Sequence, residues 1–399
     1  MSYDRPSWAY SLSAALLLMA PFDVLASLAM DIYLPVVPAM PGILNTSPSV
    51  IQLTLSGYMI ILGVGQIIFG PISDRIGRRP VLLFGAVLFA AASLGAACSS
   101  TAGTFVFCRL LQASGASAVL VATFATVRDV YADREEGVVI YSAFGAILSF
   151  VPALGPIVGA VVANSFGWRA IFVLLALLTL TAAINATVWW HETRPPVSVN
   201  SRRSVLPIFA SFPFWVYTLA FSAVMGTFFV FFSIAPRVLI GHAGYSEFGF
   251  SLAFATVAGV MIVTTRFARR MVARWGIPGC VTRGMLMLIC GAALLAVGQV
   301  FGSPSFASFL LPVWIMAVGI VFAASVTANG ALAEFGDTAG SAVAFYSCIQ
   351  SLIVSIGGTL SVTILDGDSA WPLVTYSTTM ALLVLVAQVL LKRREPKTR

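Results

Sequence analysis

Two carboxylates stand eight residues apart in an otherwise apolar run, Asp23 and Asp31 in SLSAALLLMAPFDVLASLAMDIYLPVVPAMP. On a helix that spacing separates them by about 12 Å along the axis and roughly 80° around it, so both can line one cavity with Ser27 between them. A carboxylate at the centre of a membrane span costs about 2.5–3.5 kcal/mol on the insertion scale. Asp23 is placed near mid-span, and Asp31 nearer the outer end, where the cost falls. The pair reads either as internal anchors bonded to neighbouring helices or as part of an ion or substrate path. Two such acids on one helix favour the path. A second apolar run carries Arg109 in RLLQASGASA. Counted from the outer end, Arg109 lies about 8 Å deep, Asp31 about 6–7 Å and Asp23 near 18 Å, so Arg109 matches Asp31 in depth. A guanidinium keeps its charge, so any proton must move on the carboxylate. Arg109 and Asp31 are therefore expected to form either a static buried ion pair or a protonation switch.

Other segments carry further candidates. The polar run Gly70-Pro-Ile-Ser-Asp74-Arg75-Ile-Gly77-Arg78-Arg79 mixes an acid with three arginines. The arginines can anchor topology, but Asp74 has no topological use. A latch joining helix ends in one conformational state is the alternative. Phe150-Val-Pro152-Ala-Leu-Gly155-Pro156-Ile-Val-Gly159-Ala160 combines kinking prolines with glycines that allow close backbone approach. Phe228, Phe231 and Phe232 are candidate walls of a ligand pocket, or simply lipid-facing or core aromatics. Gln112, Asn329, Tyr346 and Gln350 are neutral groups able to orient a ligand. The five cysteines show no metal-ligand spacing, and both histidines fall in expected loops. No P-loop is present, so neither nucleotide nor any other cofactor is expected. No convergent nucleophile and base suggests an enzyme.

These residues need membrane helices to hold them. The 399-residue chain is 59% hydrophobic and 9% charged, with mean hydropathy +0.97. A soluble domain carries about a quarter charged residues, so lipid must be the main solvent here. Apolar runs predict an all-α protein of twelve spans near 12–35, 50–72, 80–98, 104–125, 138–163, 168–190, 213–236, 248–270, 280–301, 306–328, 340–364 and 370–391. The polar stretch from His191 to Ser204 separates two six-helix halves, 1–190 and 213–399, with a cytoplasmic linker at 191–212. With both termini in the cytoplasm, all 22 basic residues except Arg109, Arg169 and Arg237 fall on the internal side. The net charge of +7 is thus a topology signal, and no aromatic-interleaved basic groove suggests nucleic acid. The halves repeat weakly: Arg274 and Gly276 echo Arg75 and Gly77 at an offset of 199, with Ala273 in the place of Asp74.

Gly70-x3-Asp74-Arg75-x-Gly77-Arg78-Arg79 resembles the signature loop of the major facilitator superfamily. Arg109-x2-Gln112-x2-Gly115 is similar to its fourth-helix proton-coupling motif, with Ala113 for the usual glycine. Gly155-Pro156-x2-Gly159 is similar to the fifth-helix antiporter motif, with Ala160 for its last glycine. Within the superfamily, MAPFDVLASLAMDIYLPVVPAMP, LLQASGASAVLVATFATVRDVYA, TFFVFFSIAPRVLIG and SVTANGALAEF resemble the chloramphenicol and florfenicol exporters. That resemblance implies a drug:proton antiporter of the bacterial inner membrane that moves phenicols outward, with the drug and protons as its small partners and a monomer as the expected state. It assigns Asp23, Asp31 and Arg109 to proton coupling, since they match residues of related multidrug exporters. A broad multidrug:proton antiporter is the alternative. A nutrient symporter would share the fold without needing the Gly-Pro helix.

Overall fold

In hydrocarbon no water is available to bond backbone groups, so each apolar run closes its hydrogen bonds within itself as a helix. The computed structural model describes residues 10–131, 135–194, 206–302, 304–335 and 339–394. The spans are α1 (Leu12–Asp31), α2 (Pro48–Ile76), α3 (Arg78–Cys98), α4 (Ala102–Tyr131), α5 (Glu135–Phe166) and α6 (Trp168–Trp189). They continue as α7 (Phe212–Pro236), α8 (247–275), α9 (277–301), α10 (Leu311–Leu332), α11 (Ala339–Ile364) and α12 (Trp371–Arg394). No strand occurs among the described residues. Among the described residues eleven helical runs are long and apolar enough to cross a membrane. The longest, Glu247–Phe301, breaks at Gly276 with φ 65° and ψ 178°, so it holds two spans and the total is twelve.

Local sequence explains most boundaries. Gly77 (φ 113°), Gly167 (φ 81°) and Gly276 (φ 65°) turn the chain between α2 and α3, α5 and α6, and α8 and α9. Each lies where a Cβ would strain the backbone. The repeat at offset 199 therefore has a structural cause: Gly77 and Gly276 make the same left-handed turn after the second helix of each half. Ser11, Ser211 and Ser246 cap α1, α7 and α8 by accepting backbone N–H bonds through their side chains. α1 ends at Asp31, earlier than its apolar run. Pro35 and Pro38 lack N–H donors, and the chain tightens there into a narrower helix over Leu34–Ala39.

The chain forms two compact units, Met1–Ser201 and Arg202–Arg399. Of the expected linker, 195–205 lies outside the described residues, as do Arg5, Arg134 and the tail beyond Arg394. His191 to Arg194 fold back onto the first unit, and Leu206–Ala210 is a short helix of the second. In the first unit α4 packs against α2 and α3, and α1 against α5; in the second α9 packs against α10, and α7 against α10, α11 and α12.

The units share one packing device that the sequence reading did not detect. A Cβ on Gly115 would sit 2.6 Å from the Gly85 carbonyl oxygen, joining α4 to α3. A Cβ on Gly284 would sit 2.7 Å from the Gly319 carbonyl oxygen, joining α9 to α10. Gly85 and Gly284 again differ by 199 positions. Small residues at these crossings let the backbones touch, which is how membrane helices associate without a hydrophobic drive. We predict that Gly85→Leu and Gly284→Leu each destabilise their unit by about 1–3 kcal/mol through overpacking. Gly42→Ala, where a Cβ meets nothing within 4 Å, is the neutral control. Thermal unfolding of the purified variants reads the difference.

Candidate functional site

α1 buries both acids, Asp23 at 4% exposure and Asp31 at 5%. Neither joins an ion pair among the described residues, and Asp23 Oδ2 has no hydrogen-bond partner. Ser27 lies between them and is half-buried. Asp31 closes α1 against α5. A Cβ on Gly155 would lie 2.8 Å from the Asp31 Cβ, and one on Gly159 would collide with the Ile32 carbonyl. The Gly155-Pro156-x2-Gly159 segment is thus a flat seat for the end of α1, with Pro156 inside the helix.

Arg109 is fully buried, but the expected ion pair with Asp31 is absent. Its Nη1 donates to the Ala29 carbonyl at 3.1 Å and to the Gln112 amide oxygen. The guanidinium carbon lies 4.7 Å from the ring centre of Tyr58, 5.2 Å from Tyr33 and 5.8 Å from Phe172. Depth matching failed because it ignored azimuth. Ala29 and Asp31 are about 200° apart around α1, so the face offering Ala29 to α4 turns Asp31 toward α5. Cation–π contacts contribute about 0.5–1 kcal/mol at exposed sites and about 2 kcal/mol when desolvated, and here they replace a carboxylate. Nε and Nη2 have no hydrogen-bond partner. The cage was invisible to sequence reading because each ring comes alone from a distant segment.

Gln112 is not free to orient a ligand. Its oxygen accepts from Arg109, and its Nε2 donates to Ser93 Oγ at 2.7 Å. Phe231 and Phe232 also depart from the expected pocket walls. Both are buried in an aromatic cluster, Phe231 stacked on Phe254 at 5.2 Å, because α7 turns that face into its own unit. Phe228 remains half-buried at the edge of this cluster. Tyr346 stacks on Phe221 at 5.2 Å and donates to Thr327 Oγ1 at 3.3 Å. Gln350 donates to Ser351 Oγ at 3.0 Å and leaves its Oε1 without a partner. Asn329 is exposed on α10.

The expected loop from Gly70 to Arg79 is helical except at Gly77, with 70–76 ending α2, and it converges on Arg78, which is buried at the start of α3. Its Nε donates to Asp129 Oδ2 at 2.7 Å, and its Nη1 to Asp74 Oδ1 at 2.6 Å and Ser73 Oγ at 3.2 Å. Arg75 is exposed, with its carbonyl accepting from Arg194, and Gly70 has open space beside it. The Glu192 carboxylate accepts the N–H groups of Arg78 at 2.8 Å and Arg79 at 3.2 Å, capping α3 where the helix dipole favours an anion. Gly77 admits this carboxylate, which a Cβ there would displace. Asp129 and Glu192 were missed as site residues. The available signal was the one that marked Asp74: an acid among helix-end arginines, where sidedness has no use for it.

Asp74 is 61% exposed, so its pair with Arg78 contributes little. Asp129 is 6% exposed, and removing it leaves a buried guanidinium short of its partner, at a cost of about 3–5 kcal/mol. Asp129→Ala is therefore expected to lower the thermal unfolding midpoint clearly more than Asp74→Ala. Equal midpoints for the two variants would contradict this ranking.

A family profile described as Major Facilitator Superfamily matches residues 22–358. A chloramphenicol resistance protein of Pseudomonas aeruginosa is 48% identical over 387 residues, covering 96% of this chain and 92% of that protein. Multidrug resistance protein MdtL of Escherichia coli is 28% identical over 338 residues, covering 82% and 81%. The crystal structure of a D-xylose-proton symporter superposes with TM-score 0.75 over 94% of this chain and 97% of that one, at 16% identity, a likeness of fold alone. Twelve spans, the ion-pair cluster centred on Arg78 and the profile match over most of its length lead to one assignment: the chain belongs to the Major Facilitator Superfamily.

Proposed function

We propose that this protein exports phenicol antibiotics, chloramphenicol and florfenicol, across the bacterial inner membrane in exchange for protons, and so confers resistance. The observation that carries the reading is 48% identity to a chloramphenicol resistance protein along 96% of the chain. Proton coupling is supported by two buried acids without counter-charges on α1. In apolar surroundings such a group is cheapest to hold protonated and must regain water to ionise. A conformational cycle that alternately buries and wets α1 would load and release the proton. Arg109 would act by organising α1 around its cage, through the Ala29 carbonyl, and not by direct pairing. Gly155 and Gly159 would let α1 slide on α5, and the Asp74–Arg78–Asp129 cluster would latch α2, α3 and α4 in one state. The distribution of arginines and lysines supports cytoplasmic termini, and one chain, acting as a monomer, supplies all twelve spans.

Asp31→Asn and Arg109→Ala are expected to abolish active efflux at normal membrane abundance. Asp23→Ala is expected to alter drug binding or the pH dependence of transport. Accumulation of labelled chloramphenicol in expressing cells, with and without a proton uncoupler, measures these effects. Normal uncoupler-sensitive efflux by the Asp31 or Arg109 variant would remove that residue from the coupling step.

Drug range separates the proposal from a broader pump. Phenicols are neutral, and moving one out against one incoming proton is electrogenic, worth about 2.3 kcal/mol per 100 mV of membrane potential. The broader reading is favoured by one feature, the unpartnered Asp23 oxygen, which could attract a lipophilic cation. Expression in a sensitive host is expected to raise resistance to chloramphenicol and florfenicol, with little effect on ethidium or tetraphenylphosphonium. Export of the cations as well would replace the narrow assignment with a multidrug:proton antiporter.

A further inference from the structure

Five arginines surround the turn between α8 and α9: Arg266, Arg269, Arg270 and Arg274 before it and Arg283 after it. All five are exposed, and among the described residues none joins an ion pair. Sidedness accounts for cations at this end of the unit. It does not account for the face they occupy. Arg266, Arg270 and Arg274 follow at intervals of four residues, which spreads them over only about 80° of the helix. Val263 and Phe267 are exposed and fall in or beside that same arc. On a membrane helix an exposed apolar face is the one that meets lipid, so here one face presents acyl-chain contacts and then guanidiniums.

The two neighbouring helix ends repeat the arrangement. Arg283 lies in line with the exposed Leu286, Leu294 and Val297 on α9, and Arg393 with Val386 and Val389 on α12. The ends are fastened together. Thr282 donates its hydroxyl to Gln388 Oε1 at 3.0 Å, and Gln388 Nε2 donates to the Pro278 carbonyl at 3.3 Å. Arg283 lies over the Trp275 ring at 4.5 Å and donates Nη1 to the Gly279 carbonyl at 3.2 Å, its side chain remaining exposed. The first unit treats its helix-end arginines differently: Arg78 faces Asp74 and Asp129, and Arg79 donates to the Thr187 carbonyl at 2.5 Å.

We infer that the α8–α9 turn and the adjoining end of α12 form a binding surface for anionic phospholipid, the guanidiniums taking headgroup phosphate and the flanking apolar residues the acyl chains. A basic residue near an anionic membrane surface changes affinity by about five-fold. The test uses the purified full-length protein in neutral detergent, titrated with phosphatidylglycerol, phosphatidylcholine or inorganic phosphate while its thermal unfolding midpoint is followed. Phosphatidylglycerol is expected to raise the midpoint, and the other two to leave it unchanged. An Arg270→Gln/Arg274→Gln variant is expected to need about twenty-five-fold more phosphatidylglycerol for half the shift. Arg270→Lys/Arg274→Lys should keep most of the response, since it keeps the charge. If the double glutamine variant does not fold, Arg266→Gln alone with an expected shift of about five-fold makes the same comparison. An equal response to phosphatidylcholine, reproduction of the shift by free phosphate, or an unchanged phosphatidylglycerol requirement in the glutamine variants would overturn the inference.

Discussion

A guanidinium buried in a membrane helix without a carboxylate beside it must be satisfied by whatever its neighbours can offer. Around Arg109 the first half supplies a backbone carbonyl from α1, an aromatic face from α2, an amide from α4 itself and another ring from α6. Ser93 of α3 holds the amide in place. Five of the six helices therefore meet at one charge, and the sixth, α5, seats the end of α1 through its glycines. The position of Asp31 follows from these contacts. Once α1 gives Ala29 to Arg109, the helix period directs Asp31 to α5.

The second half has the same skeleton with different electrostatics. Gly77 and Gly276 make equivalent turns, and Gly85 and Gly284 make equivalent close crossings. Backbone geometry is held in common because only glycine tolerates these conformations and separations. The charges are not held in common. Ala273 replaces Asp74, and among the described residues the arginines around Gly276 join no ion pair. In the first half Arg78 is buried against Asp74 and Asp129, whereas the arginines around Gly276 stay at the surface.

This division bears on transport. A cluster in which Arg78 is shared between an exposed and a sheltered carboxylate can lose one partner without losing the other. Such a cluster suits a contact that opens and closes. Arg109 has no comparable alternative, because its hydrogen-bond acceptors and rings are all interior. It is better suited to fix helix positions than to move between partners, and under the proposed function proton exchange falls to the uncompensated acids on α1.

Sequence alone determined the twelve spans, because uninterrupted apolar runs leave the backbone no alternative to helix in lipid. It also showed Gly276 as an echo of Gly77, since a missing side chain is legible as a letter, while the backbone alone showed that each makes a turn. It marked Asp23, Asp31 and Arg109 as costly buried charges, because the cost depends on residue type and depth, which can both be counted along one helix. Partnership could not be counted that way. Whether Arg109 met Asp31 or Ala29 depended on the rotation of α1 about its axis, and whether Gln112 was available depended on Ser93 one helix away. Phe231 and Phe232 were legible as aromatics, but only packing against Phe254 turned them inward. Asp129 and Glu192 became part of the Arg78 cluster only when α4 and the chain after α6 returned to the start of α3. Those contacts join residues more than fifty positions apart, and the azimuth and crossing of whole helices that create them are properties of the tertiary structure.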